Sequence, residues 1–312
     1  MKIKKNYQDR CLSSEAIKKL SILNPWKSLT DIAFIWLQIW GIFSLAYYLK
    51  NWVWYLVLIP LIGSRLYALF IIGHDGIHGR ILKNRTWNNL INDLFIFMPF
   101  WSITRLNGQN HLMHHEHLST QDDPDRHKYG CFNKYNKKKL VSYLCGQSFF
   151  KSMENIFSSG ERKLKTYKLK EFASLLFIQI FLFSSLTFLF GFGGYFLFWI
   201  LPIFLFVFLT DNLRSFCEHS HPESDILADE HRLIIYTPNI FERIFISPKN
   251  MNFHAIHHLW ISIPYYNLQK TYNLLGKNPD WNVENRKSYI GYLCKYWSLS
   301  PITNCQKQKE GT

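Results

Sequence analysis

Thirteen histidines stand in this chain, and most of them gather in three short clusters. The first is Gly73-His74-Asp75-Gly76-Ile77-His78. If that segment is helical, His74 and His78 are i and i+4 and stack on one face. The second is His111-Leu112-Met113-His114-His115-Glu116-His117, and the third is His254-Ala255-Ile256-His257-His258. Both follow HxxHH, which places three imidazoles within about 100° of arc on a helix. His117 falls about 120° from His111 on the same wheel and points away. A fourth element, Arg214-Ser215-Phe216-Cys217-Glu218-His219, supplies one more imidazole. The chemistry such residues share is metal binding. Nine uncharged imidazoles (His74, His78, His111, His114, His115, His219, His254, His257 and His258) exceed the needs of one ion and suit two. Imidazole accommodates zinc, copper, iron and nickel alike. A structural zinc site would close with four ligands and usually some thiolate. Here no pair of cysteines lies nearby, so redox-active iron with room for dioxygen fits better. His127, His221 and His231 stand outside the clusters and are read as surface or neighbouring groups.

The elements that must bring these clusters together are apolar. A bilayer core of about 30 Å needs roughly 20 apolar residues of helix. Four stretches approach that length, at about 31–49, 52–73, 172–192 and 194–209. A soluble helix of this length would carry a polar face, and these do not. Lys50 and Asn51 alone join the first two spans, and residues 191–194 join the last two, so the spans form two tight hairpins. All the remaining segments then fall on one side of the membrane, with both termini and every histidine cluster. That side holds nearly all the Lys and Arg, and the positive-inside rule makes it cytoplasmic. Residues 87–101 are too few and too polar at one end to cross, and read as an interfacial or re-entrant helix. Residues 140–157 are amphipathic and fit the headgroup level. Arg65 lies nine residues before His74, about 13 Å along a helix. A charge at that depth faces a cavity or a partner.

Composition narrows the classes further. Lys and Arg number 36 against 22 Asp and Glu, a net charge of +14. Topology and anionic headgroups account for that excess, and no nucleic-acid-binding module is present. The aromatic content of 17% excludes a disordered chain. Six scattered cysteines without a CxxC pair exclude a disulfide-stapled module. The N-terminus is polar before any apolar run, so no cleavable leader is expected. Without an internal repeat or a linker, residues 1–312 read as one domain.

Taken together, the motifs resemble those of the membrane fatty acid desaturase superfamily, the integral-membrane histidine-box diiron enzymes. The boxes HDGIH, HLMHH and HAIHH occur in that family's order. His114-His115 is followed by Leu118-Ser119-Thr120 and Asp122-Asp123-Pro124-Asp125, similar to the family's HHxxLxT and DPD run. Asn252-Phe253-His254 leads through His258 to Ile263-Pro264-Tyr265-Tyr266-Asn267-Leu268, similar to bacterial acyl-lipid desaturases, with Ile261 where proline is common. The Arg214, Glu218 and His219 element matches relatives that carry an extra ligand there.

The resemblance implies an all-α integral membrane enzyme with four transmembrane helices and a cytoplasmic helical cap, placed in a bacterial inner membrane. It implies two iron ions held by the nine histidines, with dioxygen as co-substrate and a long acyl chain or membrane lipid as substrate. Asp75, Glu218 and Asn252 are the candidates for orienting the imidazoles. No Cys₄ cluster, haem motif or Rossmann fingerprint is present, so no bound organic cofactor is expected. Electrons must come from a separate donor, such as ferredoxin or a cytochrome b5-like protein with a reductase. Basic residues in 128–139 and 162–170 would steer an acidic donor. The same boxes serve lipid or carotenoid hydroxylases and ketolases, which remain the alternative. A membrane metal transporter or storage protein is more remote, because it needs polar ligands inside the spans.

Overall fold

The computed structural model describes residues 2–118, 120, 122–129, 137–144, 146, 168–219 and 233–299. His221, His231, most of the amphipathic stretch at 140–157 and the basic residues 162–167 lie outside the described residues. The molecule is mostly helical, and four of its helices are long and apolar enough to cross a membrane.

Two short helices, α1 (Lys2–Cys11) and α2 (Ser14–Leu20), precede the first long one, α3 (Pro25–Leu49). Asn24 caps α3 by accepting from the Lys27 backbone N–H, and Pro25 takes the first helical position, where no N–H is needed. Lys50 then turns left-handed at φ 44°. Asn51 caps α4 (Trp52–Ile77) at once by accepting from Val53 N at 2.9 Å. The two helices pack against each other. The apolar run ends at residue 73, and α4 continues beyond it through Ile77, with His78 as its cap. That extra turn carries His74 out of the apolar run in unbroken helical register.

The helix at the centre of the fold is α4. Of its most apolar stretch 67% is buried, against 28% in α3 and 22% and 33% in the other two long helices. Leu58, Ile62, Leu66, Leu69 and Ile72 meet Ile35, Ile39 and Phe43 of α3 in one core. Gly63 allows Phe206 to lie directly against the α4 backbone, where any Cβ would overlap its ring. The outer helices present bare apolar side chains, among them Phe34, Leu37, Phe177 and Phe188. Such contiguous exposure suits a lipid environment.

After Gly79 the chain enters α5 (Arg85–Asn92), a π-helical stretch (Asp93–Phe97) and a 3₁₀ turn (Met98–Phe100), then reverses at Trp101 with φ 58°. Nothing in 85–101 is long enough to cross. α6 (Thr104–His117) starts where Thr104 donates through both its N–H and its hydroxyl to Asp93 Oδ1, each at 2.6 Å. Two short helices follow, α7 (Arg126–Tyr129) and α8 (Lys137–Leu144).

The third long helix, α9 (Leu169–Phe190), is pinned by Gln179, whose amide donates to the carbonyls of Met98 and Pro99. The fourth runs from Phe196 to His219. It contains π-helical stretches Phe196–Ile200 and Ile203–Phe208 before α10 (Leu209–His219). His219 lies beyond the apolar run at 194–209, on the last turn of the same helix.

Strand β1 (Ile234–Tyr236) pairs in parallel with β2 (Glu284–Arg286), with Ile234 opposite Glu284. Between them lie α11 (Ile240–Phe245), α12 (His254–Leu259) and α13 (Leu268–Leu275), and α14 (Tyr289–Leu299) follows β2. This two-stranded sheet departs from the all-helical expectation. It clamps the segment carrying the third histidine cluster, because Asn252 donates to Tyr236 O at 2.9 Å.

At the end of α4 the Gly76 carbonyl accepts from the Gly79 N–H at 3.0 Å, and α5 adds side-chain donors to this last turn. Asn92 donates to Gly73 O at 3.1 Å, and Asn88 to Gly76 O at 2.8 Å. Gly76 is the residue that lets the Asn92 amide approach this closely, since a Cβ there would collide with it. Gly76→Ala is therefore expected to destabilise the protein by about 1–3 kcal/mol through overpacking. Gly41→Ala should leave the thermal midpoint unchanged or raise it, because nothing lies within 4 Å of a Cβ at that position. Midpoints of the two variants in detergent check this; equal shifts would refute the close-packing argument.

Candidate metal centre

Four separate elements deliver the imidazoles. α4 carries His74 and ends at His78; α6 carries His111, His114 and His115 on one face; α10 ends at His219; and α12 carries His254, His257 and His258. These nine form two groups. His74, His78, His111, His115 and His257 bring one ring nitrogen each to within 4.8 Å of one another. His114, His219 and His258 do the same. His254 adjoins the second group, with ring centroids 4.4 Å from His258 and 5.4 Å from His219. The groups share a wall, where the rings of His115 and His258 lie 4.2 Å apart.

Within the first group the Nε2 atoms converge. His78 and His115 each lie 2.9 Å from His111 by this atom, and His257 lies 3.2 Å from His115. Metal–imidazole bonds of about 2.0–2.1 Å place neighbouring ligands at right angles about 3.0 Å apart. The spacing therefore fits nitrogens arranged around an ion. Further ring nitrogens are buried without any hydrogen-bond partner, among them both of His74, both of His258 and Nε2 of His254. Leaving a buried polar atom unpaired is costly, so these positions call for a ligand that the side chains themselves do not provide. Every donor is nitrogen. Cys217, though buried beside Glu218, belongs to neither group.

The imidazoles are held in the form that binds metal. Burial pushes His78 down to about 4, with Arg80 and Arg85 acting in the same direction. Burial, reinforced by neighbouring imidazoles, likewise holds His111, His115, His257 and His258 well below the ordinary histidine range. For His254 the second cause after burial is the Arg214 guanidinium.

A ring of acceptors and donors orients the site. Glu218 receives His254 Nδ1–H at 2.9 Å, the Tyr289 hydroxyl at 2.8 Å and Arg214 Nη1 at 2.5 Å. Arg214 also donates to Tyr67 on α4 and Asp211 on α10, so four elements meet at one buried carboxylate. Asp75 lies 4.0 Å from His74 Nδ1, beyond hydrogen-bond reach, and instead accepts from the Tyr265 backbone N–H at 2.7 Å. Among the described residues the Asn252 amide donates to Tyr236 O and makes no hydrogen bond to an imidazole. The sequence reading did not single out Asp123, which takes His114 Nδ1–H at 2.9 Å. The available signal was its place in the Asp122-Asp123-Pro124-Asp125 run that follows the second box. Asn88 and Asn92 were missed as well; two amides spaced i and i+4 in an apolar stretch were the clue. His117 ends α6 outside both groups.

Comparison with known proteins agrees with this geometry. The family model for fatty acid desaturases matches residues 50–285, most of the chain. The chain belongs to the fatty acid desaturase family. Similar members include an sn-1 acyl-lipid omega-3 desaturase (ferredoxin) of Synechocystis sp., 27% identical over 85% of this chain and 79% of that one. An sn-1 oleoyl-lipid 12-desaturase from the same organism is 25% identical over 76% and 71%. An endoplasmic-reticulum omega-3 fatty acid desaturase of Nicotiana tabacum is 22% identical over 80% and 72%. The three boxes of this desaturase family member thus sit inside the matched region, the first of them at the end of its most buried helix.

Two outcomes follow. His219→Ala should lower bound metal nearly as far as His257→Ala, whereas His117→Ala should retain it; metal content by mass spectrometry decides. The metal-free protein should lose stability as pH falls from about 6.5 towards 4. Over that window the unfolded chain takes up protons that the buried imidazoles refuse. A denaturation midpoint independent of pH there would refute neutral burial.

Proposed function

We propose that this protein is an oxygen-dependent diiron acyl-lipid desaturase that introduces a double bond into a long acyl chain within the membrane. The observation that carries the reading is the pair of adjoining, largely buried imidazole groups, gathered where two of the four membrane-length helices end at His78 and His219. Two irons held there, by His74, His78, His111, His115 and His257 and by His114, His219, His254 and His258, would supply dioxygen activation and hydrogen abstraction from an unactivated chain. The protein's own residues do the rest. Neutral imidazoles present lone pairs without a competing proton. Glu218 and Asp123 fix the rotation of His254 and His114 by accepting their Nδ1–H, leaving Nε2 directed inward. Burial keeps bulk water from the reacting carbon.

Both termini and the boxes are assigned to the cytoplasmic side, as the Lys and Arg distribution supports. The electron donor is assigned as a ferredoxin, in keeping with the name of the similar Synechocystis sp. omega-3 desaturase. Not every basic residue is available to steer it. Lys128 is half-buried, and its ammonium pairs with Asp125 at 3.1 Å and Asp211 at 3.8 Å. Lys137 lies over the Trp297 ring.

The test is expression in a host of simple lipid composition, followed by mass spectrometry of total fatty acids. Loss of two hydrogens from a long chain, dependent on His257 and accompanied by about two irons per chain, is expected. Gain of one oxygen instead would assign a hydroxylase, and one zinc per chain without iron after anaerobic iron loading would sink the diiron reading.

A further inference from the structure

Away from the histidines, a cavity of about 280 Å³ opens among Lys27, Asp31, Arg243, Ser247, Lys249 and Tyr265. Its volume suits a polar group several water molecules in size, at about 30 Å³ each. Three cations face one carboxylate there, and that carboxylate is already engaged. Asp31 accepts from the Tyr265 hydroxyl at 2.6 Å and from Lys27 at 3.1 Å, and it pairs with Lys249 at 3.3 Å. Arg243 has no acidic partner among the described residues; its one side-chain contact is Asn250 Oδ1 at 3.5 Å. The Ser247 hydroxyl is buried and unpartnered. The cavity therefore presents excess positive charge and a spare hydroxyl, a lining suited to an anion.

Its position fixes the kind of anion. Lys27 and Asp31 stand in the first two turns of α3, a membrane-length helix. Trp26 beside Lys27 is 77% exposed, and Phe241 near Arg243 is 72% exposed. Bare aromatics next to cations are how a chain sits at the headgroup level of a bilayer. The loop carrying Lys249 is held in an unfavourable conformation, with Lys249 and Asn250 both left-handed at φ 55° and 63°. It is fastened by Asn250 donating to Tyr265 O at 3.2 Å. Burial holds the Lys249 ammonium below its ordinary pKa, with Lys27 and Arg65 acting in the same direction and Asp31 opposing. Tyr265 also bridges to the metal centre, since its backbone N–H bonds Asp75, the residue after His74.

We propose that this cavity receives the phosphodiester headgroup of a glycerophospholipid substrate, with Arg243, Lys249 and Lys27 donating to its oxygens. The inference rests on the acyl-lipid reading above and adds the headgroup class. With the headgroup held there, the cavity sets how far along the reacting acyl chain the carbons that reach the histidine site lie.

The test uses the full-length, metal-loaded protein in dodecyl maltoside and measures binding by native mass spectrometry. The probes are dioleoyl phosphatidylglycerol, neutral monogalactosyl dioleoylglycerol and inorganic phosphate. The wild type should prefer the phospholipid, and Arg243→Gln should weaken that binding by roughly tenfold or more, as expected when a charge-assisted contact is lost. Arg243→Lys should restore most of it. Lys249→Gln should act like Arg243→Gln; because it also removes an Asp31 partner, its metal content is measured to verify folding. Equal affinity for the neutral lipid, or phospholipid binding unchanged in Arg243→Gln of wild-type metal content, would overturn the assignment. Inorganic phosphate reproducing the Arg243-dependent signal would identify a soluble-anion site and overturn the lipid assignment. Binding is read without turnover, so a protein that selects the phospholipid but makes no double bond supports this site while refuting the proposed activity.

Discussion

Buried imidazole nitrogens with nothing to bond are the constraint around which this molecule is arranged. An unpaired polar atom in a dry interior costs on the order of 1–3 kcal/mol, and His74, His254 and His258 alone contribute five such nitrogens. Mutual contact offers little relief, because two neutral imidazoles facing each other through Nε2 can share at most one proton. An ion that accepts several lone pairs at once removes the penalty for the whole group. Binding of a metal there would be coupled to the folding of this end of the molecule.

That constraint explains the division of labour among the helices. α4 is buried over most of its length because it must hold His74 at a fixed height and rotation, whereas α9 carries no site residue and turns most of its surface outward. The Glu218 carboxylate is the complementary device. It joins Tyr67, Arg214, His254 and Tyr289 through a chain of hydrogen bonds spanning four elements. Residues far apart in sequence are fixed relative to one another by an acid buried next to the cation it needs. Breaking one member would leave the others unpaired, the costly case for buried charge.

Much of this was legible in the chain itself. HxxHH spacing defines a helix face, so the two triads and the His74–His78 pair could be read directly, and long apolar runs marked the four helices. Less accessible was whatever depends on contacts between distant segments. Asp123 and Asn88 look like ordinary turn or helix residues until the chain folds them onto His114 and the end of α4. The parallel pairing of Ile234 with Glu284 has no local signature, since β2 is a charged tripeptide without strand character. Helix ends drifted for a similar reason. Hydropathy stops at residue 73, whereas the hydrogen-bond ladder of α4 continues as long as α5 caps its carbonyls.

The fourth long helix carries a consequence of another kind. Its two π-helical stretches, Phe196–Ile200 and Ile203–Phe208, lie between the turn at Gly194 and the residues that face the histidines. Each π turn accommodates one residue more than an α turn, and each added or removed residue rotates everything beyond it by about 100°. Glu218 and His219 therefore sit in phase with the site only for this count of residues. Homologous chains should vary freely in the length of the turn before Gly194, while their residue count from there to His219 stays fixed. In evolutionary terms this helix behaves as a gear with a set number of teeth, tolerant of changes in side chain and intolerant of a change in length.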